Sequence, residues 1–160
     1  MKKLLNNQRG ISTIEVLIVL VTIGVMAWIV DTTYTGIQAK SNNSTRATDI
    51  NTIQEHIETF YSQNMYYPTL ADMNNSSWVS TNLKGLDQSV MQDPSWTNKN
   101  KLCNINSQPV FLVRSQPGCY GYNPTNNGAS CAAKANTCND YVLSASLQQG
   151  GGVYTKRQLN

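Results

Sequence analysis

The stretch "ISTIEVLIVLVTIGVMAWIV", residues 11–30, decides how the rest of the sequence is interpreted. Its only charged side chain is that of Glu15. A helix rises 1.5 Å per residue, so about 20 apolar residues are enough to cross a hydrocarbon layer of about 30 Å. The segment therefore predicts a membrane-spanning helix. Glu15 is the residue that this prediction does not explain, because a carboxylate at the bilayer centre costs on the order of 2.5–3.5 kcal/mol.

The basic residues around this segment predict its direction. Lys2, Lys3 and Arg9 precede it, whereas Asp31 follows it. The positive-inside rule then places the N-terminus in the cytoplasm and residues 31–160 outside. The remaining nine basic residues are balanced by nine acidic ones, so the net charge of +3 belongs to the leader. No polybasic surface is left that would indicate nucleic-acid binding.

A cleavable secretory signal is the first alternative for this segment. Such a signal has an apolar core of about 7–15 residues followed by a small-x-small cleavage site. This apolar run is longer, and "WIVDTTYTGIQAK" after it offers no good match. The small residue that stands out is Gly10, on the cytoplasmic side. A cut after Gly10 would remove a leader, residues 1–10, and keep the anchor, residues 11–30.

Residues 31–67 are predicted to continue the helix in amphipathic form. Apolar side chains recur at spacings of three and four and form one stripe. The stripe consists of Ala47, Ile50, Ile53, Ile57 and Phe60. The charged residues expected off this stripe are Arg46, Asp49, Glu55 and Glu58. Pro68 ends the helical pattern, which predicts one helix from Ile11 to about Gln63, with Gly24 as a flexible point.

Residues 68–160 are predicted to form a globular head with strands in its second half. Short β-branched or aromatic runs bounded by Gly, Pro and Asn indicate strands. These runs are "PVFLVRS", "GCYGYNP", "DYVLSASL" and "GGVYTKR". We expect an α+β fold, in which the helix packs on a small antiparallel sheet of three or four strands. Two long Asn- and Ser-rich loops are expected at Met73–Asn106 and Asn123–Asn139, as functional surfaces.

Four cysteines lie in the region predicted to be outside: Cys103, Cys119, Cys131 and Cys138. An even number in an exported domain indicates two disulfide bonds, with three possible connectivities. The pairs Cys103–Cys119 and Cys131–Cys138 are favoured because each closes a short loop. Zinc is the alternative, but the sequence has no Cys-x-x-Cys pair.

The sequence shows no catalytic apparatus. His56 is the one histidine, and its position on the predicted helix favours a partly exposed surface residue. The aspartates are scattered, and no serine or cysteine occurs in an activated arrangement. We therefore predict that the protein is not an enzyme and needs no cofactor.

The N-terminal motif "RGISTIEVLIVLVTIGVM", residues 9–26, resembles that of type IV pilins and pseudopilins. The looser segments "TDINTIQEHIETFYSQNMYYPT" and "LDQSVMQDPSW" extend the resemblance to about Trp96. It implies that a membrane-embedded prepilin peptidase cuts between Gly10 and Ile11 and methylates the new N-terminus. It also implies that Glu15 acts in assembly. Because major pseudopilins bind calcium, a calcium site is a further, less favoured expectation.

Cleavage would give Glu15 a cationic partner, the α-amino group of Ile11, whose reference pKa is about 7.7–8.0. The two residues share a helix face, so the pair can form within one chain. The resemblance implies instead that the amine meets Glu15 of a neighbouring chain. The sequence leaves both pairings open.

The resemblance implies a structural subunit of a type IV pilus-like filament, either major or minor. Its partners would be further copies, the prepilin peptidase, other pilins and an assembly platform. The precursor would lie in the cytoplasmic membrane and the filament on the cell surface. The alternatives are a pseudopilin of a secretion or DNA-uptake machine and a single-pass surface binding protein that does not polymerise.

Overall fold

The computed structural model describes residues 10–95, 102–104, 118–131 and 137–159. The chain divides into two compact units, Met1–Gln38 and Ala39–Asn160. The predicted strand at residues 109–115 lies outside the described residues.

Helix α1, Thr13–Asn64, is the longest element. Up to Gln38, its described side chains are exposed. Within the second unit, Ile50, Ile53 and Ile57 are fully buried, as the spacing of the apolar stripe predicts. The helix ends one residue beyond the predicted Gln63, and Pro68 follows shortly after it.

Two short helices, α2 and α3, follow α1 where the sequence predicts the start of a long loop. Helix α2 is Leu70–Asn74 and helix α3 is Ser76–Asn82. Thr69 and Asp72 form a reciprocal capping box at the start of α2, and the Asn75 side chain accepts from two backbone amides of α3. The loop prediction for Met73–Asn106 is therefore wrong in its first part, because these polar residues cap helices. A 3-10 turn, Gln88–Met91, comes next.

Among the described residues, the sheet has five strands in mixed orientation, so the predicted antiparallel sheet of three or four strands needs correction. The strands are β1 Leu102–Cys103, β2 Tyr120–Asn126, β3 Ala129–Ser130, β4 Asp140–Ser146 and β5 Val153–Arg157. The order is β1-β2-β4-β5, with β3 on β2, and β1 pairs parallel with β2. Strands β1 and β3 have two residues each, too few for an alternating pattern in the sequence. The three longer strands, β2, β4 and β5, coincide with the predicted runs "GCYGYNP", "DYVLSASL" and "GGVYTKR".

The core of the second unit lies where the apolar stripe of α1 meets one face of the sheet. Tyr120 and Tyr122 of β2 and Leu143 of β4 contribute fully buried side chains to it. The disulfide bonds are Cys103–Cys119 and Cys131–Cys138, the pairs that the sequence favours. The helix packed on a sheet confirms the α+β class.

Candidate functional site: an exposed apolar helix and the head built on α1

The apolar segment of α1 is exposed throughout. Its large apolar side chains range in exposure from 47% at Val16 to 70% at Trp28. Burial of one such side chain is worth about 1.5–3 kcal/mol, so an aqueous surrounding would be very unfavourable. Among the described residues, α1 is one helix whose length and composition are sufficient to cross a membrane.

Glu15 lies in the first turn of α1. The backbone N–H groups of Glu15 and Val16 both donate to the Ser12 carbonyl oxygen, at 3.0 and 3.2 Å. Free N–H groups and the helix dipole favour negative charge at this end of a helix. Residues 11–30 contain no Lys, Arg or His, so the segment itself supplies no cationic side chain for this carboxylate.

Gly10 and Gly24 are not required by packing within the chain. A Cβ atom at either position would meet nothing within 4 Å, and α1 is unbroken at Gly24. Glycine inside a helix costs about 1 kcal/mol relative to alanine. Packing among the described residues therefore gives no reason for glycine at these two positions.

A buried ion pair ties residues 93–95 to α1. Arg46 donates to both carboxylate oxygens of Asp93, at 2.7 and 2.8 Å, and also to Ser95 Oγ at 2.6 Å. Both charged side chains are 3% exposed or less. Burial by itself raises the pKa of Asp93, but hydrogen bonds from Arg46 and Ser95 outweigh it and hold the pKa below the ordinary value.

Three tyrosines attach the sheet to α1, one from each of its longer strands. Tyr120 donates to Asp49 and Tyr141 to Glu58, each at 2.6 Å. Tyr154 of β5 donates to Asn51 at 3.0 Å. Burial, followed by the bonded carboxylate, raises the pKa of both Tyr120 and Tyr141.

These contacts correct the expectation that Arg46, Asp49 and Glu58 lie off the buried face of α1. Arg46 is 2% exposed, and the two carboxylates are half-buried beneath the sheet. Burial raises the pKa of Asp49 above its usual range. The spacing of residues along α1 predicts that charged side chains face outward. It misses these three because their partners lie 47 to 83 residues away in the sequence.

His56 is half-buried on α1 and lines a cavity together with Lys84. The described residues include no group of three or more His, Cys, Asp or Glu side chains placed to hold a metal ion. The expected calcium site therefore has no cluster of three carboxylates to support it within the described part of the chain.

Comparisons with protein-family models, with curated proteins and with solved structures found no match for this chain. The resemblance to type IV pilins therefore rests on the sequence motifs alone, chiefly residues 9–26.

Proposed function

We propose that this protein is a structural subunit of a type IV pilus-like filament, major or minor. The precursor is anchored in the cytoplasmic membrane by residues 11–30, is cut between Gly10 and Ile11, and is then assembled with its head outside. The observation that carries the proposal is the apolar segment, which is exposed on every side and contains one carboxylate shortly after an Arg-Gly pair.

The exposure of the segment on all sides favours a helix that is surrounded by apolar material. A helix that is apolar all round suits both a bilayer and the interior of a bundle of similar helices. Passage from one surrounding to the other leaves its apolar side chains covered throughout. Gly24 supports the bundle, because a Cβ atom there would meet none of the described residues within 4 Å, and a glycine at such a position allows a second backbone to approach closely.

Glu15 supports the filament through its charge. In an apolar surrounding, a carboxylate needs a cation nearby, and cleavage after Gly10 produces one at Ile11. The pairing within one chain neutralises both charges before assembly. The pairing between neighbouring chains in addition fixes the position of each subunit relative to the next.

The head supports the proposed location. Its two disulfide bonds are typical of an oxidising compartment outside the cytoplasm. The positive-inside rule independently places the same residues outside. A neutral, Asn- and Ser-rich surface suits an assembly whose outer face is in water.

Gly10→Leu tests the processing step, with Gly36→Leu as the matched control. A Cβ atom at either glycine would meet nothing within 4 Å, so packing within the chain should tolerate both changes. In a host that carries a prepilin peptidase, we expect Gly10→Leu to stay in the membrane at precursor size. Gly36→Leu should be processed like the wild type. Processing of Gly10→Leu at the wild-type level, or an unprocessed wild type, would contradict the proposal.

A further inference from the structure

Strand β5, Val153–Arg157, is an edge of the sheet among the described residues. It pairs with β4 on one side and is the last strand in the order β1-β2-β4-β5. An edge strand presents a row of backbone N–H and C=O groups to which another strand can bind. The side chains of Val153, Thr155 and Arg157 are exposed, so the described part of the chain leaves this edge accessible.

The turn between β4 and β5 shows which backbone groups of β5 point outward. Leu147 N–H donates to the carbonyl oxygen of Gly152 at 2.9 Å, and the register places these two residues opposite each other. Hydrogen-bonded and non-hydrogen-bonded positions alternate along an antiparallel pair. The even-numbered residues of β5 therefore bond to β4, whereas the odd-numbered residues point their N–H and C=O groups away from it. Gln54 agrees with this assignment, because its amide donates to the outward carbonyl oxygen of Arg157 at 2.7 Å.

Thr155 lies at the centre of this outward row. Among the described residues, the outward N–H and C=O groups of Val153 and Thr155 have no hydrogen-bond partner. Arg157 adds its outward N–H group, because Gln54 bonds to the carbonyl oxygen only. Strand β5 thus offers three donors and two acceptors to one further strand.

The sequence of β5 is complementary to itself in antiparallel orientation. With Thr155 opposite Thr155 of a second copy, Tyr154 lies opposite the partner's Lys156. In the same register, Val153 lies opposite the partner's Arg157. Threonine pairs across two strands stabilise a sheet, whereas like charges directly opposite each other destabilise it. This register pairs every residue of β5 and places no like charges opposite each other.

Two other observations favour this register. Lys156 already lies over the Tyr154 ring of its own strand, 5.8 Å from the ring centre, so contact with a second tyrosine ring extends an existing cation–π interaction. A shift of two residues towards the C-terminus would place Lys156 opposite the partner's Lys156. A shift in the other direction would leave Arg157 outside the paired region.

We propose that two copies of the head associate through their β5 strands, with Thr155 on the two-fold axis. The two sheets then form one continuous sheet. Thr155 exchanges two backbone hydrogen bonds with the partner's Thr155, and each Arg157 N–H donates to the carbonyl oxygen of the partner's Val153. Five residues of each copy bury far less than the roughly 1,600 Å² of a standard interface, so we expect a weak, reversible dimer. The pairing involves the second unit alone and does not rest on the proposed filament.

Disulfide cross-linking of single-cysteine variants tests both the contact and its register. The four native cysteines are all paired, so each variant adds one free thiol. A disulfide bond requires Cα atoms within about 7 Å. Thr155→Cys places two cysteines directly opposite each other, with Cα atoms about 5.5 Å apart. Val153→Cys and Arg157→Cys are matched controls, because each alone places its two copies four residues apart, about 13 Å along the strand.

The full-length variants in detergent are treated with a mild oxidant and separated by non-reducing gel electrophoresis. We expect at least tenfold more dimer for Thr155→Cys than for either control alone. A mixture of Val153→Cys and Arg157→Cys, one of them carrying a size tag, should give the heterodimer at a level comparable to Thr155→Cys. Because all three variants carry the same anchor, association of the anchors alone would cross-link them equally.

A proline at the axis gives an independent check. Thr155→Pro removes an outward N–H group, and proline is tolerated at such a position of an edge strand. Adding it to both members of the mixture should lower the heterodimer at least tenfold. The proposal is overturned if Thr155→Cys cross-links no more than the controls or if the mixture gives no heterodimer above the single variants. It is also overturned if Thr155→Cys on whole cells cross-links to a different protein without forming the homodimer.

Discussion

Replacement of Arg46 by methionine tests the buried ion pair that holds residues 93–95 on α1. The change removes two hydrogen bonds to Asp93, at 2.7 and 2.8 Å, and leaves a carboxylate in a position that is 3% exposed. Breaking a buried pair by removing one partner costs about 3–5 kcal/mol. Asp93 keeps two hydrogen bonds from Ser95, at 2.6 and 2.8 Å, so we expect the lower end, about 3 kcal/mol.

Thermal unfolding of the full chain in detergent, followed by near-UV circular dichroism, measures this change. A loss of about 3 kcal/mol corresponds to a Tm lower by roughly 12 °C for a domain of this size. Lys40→Met is the matched control, because Lys40 is exposed on the same helix, and its Tm should be close to that of the wild type. The double variant Arg46→Met/Asp93→Leu should recover most of the loss, since no buried charge is left unpaired.

The pH dependence gives a second check on the same pair. The pKa of Asp93 is lower in the folded state than in the unfolded state. The ion pair therefore stabilises the fold fully at a pH above the unfolded-state pKa, and this stabilisation is lost as the pH falls through the folded-state pKa. The difference in unfolding free energy between wild type and Arg46→Met should therefore shrink below about pH 4. A Tm of Arg46→Met within 3 °C of the control, or a difference independent of pH down to about pH 2, would refute the reasoning.

Three other predictions follow from the head and the anchor. Because the pKa of Tyr120 and Tyr141 is raised in the folded state, their contribution to the free energy of unfolding should be complete below about pH 10 and should decrease above it. Urea titrations at alkaline pH measure this decrease. A free energy of unfolding that stays constant up to about pH 12 would contradict the prediction. Replacing both Cys131 and Cys138 by serine opens a loop with a sequence separation of 7 and should lower the free energy of unfolding by about 2.4 kcal/mol. Chemical denaturation measures this change, and an unchanged denaturation midpoint would contradict the prediction. Glu15→Gln and Glu15→Ala should both reduce the sheared filament fraction while membrane insertion is kept; normal assembly of both variants would remove the role of the charge.

The sequence predicts the long elements of this fold well, because each one has a repeated pattern. The spacing of Ile50, Ile53 and Ile57 defines the buried face of α1 without any knowledge of the sheet. Strands β2 and β4 are long enough for aromatic and β-branched residues to indicate them. The disulfide pairs follow from proximity along the chain, with separations of 16 and 7 residues.

The short elements escape prediction because their signals are single residues. Thr69, Asp72 and Asn75 have the composition of a loop, and their role as helix caps depends on hydrogen bonds to particular backbone amides. Strand β1 is two residues long and is defined only by its parallel partner β2. A short stretch of sequence around each of these elements does not show which backbone amide or which strand it will pair with.

The polar contacts of the head are missed for a related reason. Arg46 looks like a solvent-exposed residue until Asp93, 47 residues later, is placed against it. The cavity lined by His56 and Lys84 likewise combines residues near the end of α1 with residues near the end of α3, and neither segment shows a binding motif alone. By contrast, Gly10 and Glu15 are found from the sequence alone, because their proposed role depends on processing and on other chains.

The most direct test of the filament proposal is intact-protein mass spectrometry of material sheared from the cell surface. The proposal predicts a chain that begins at Ile11 with a methylated α-amino group, and this chain should be abundant in the sheared fraction. Recovery of the protein only from the membrane, as the unprocessed chain of 160 residues, would contradict it.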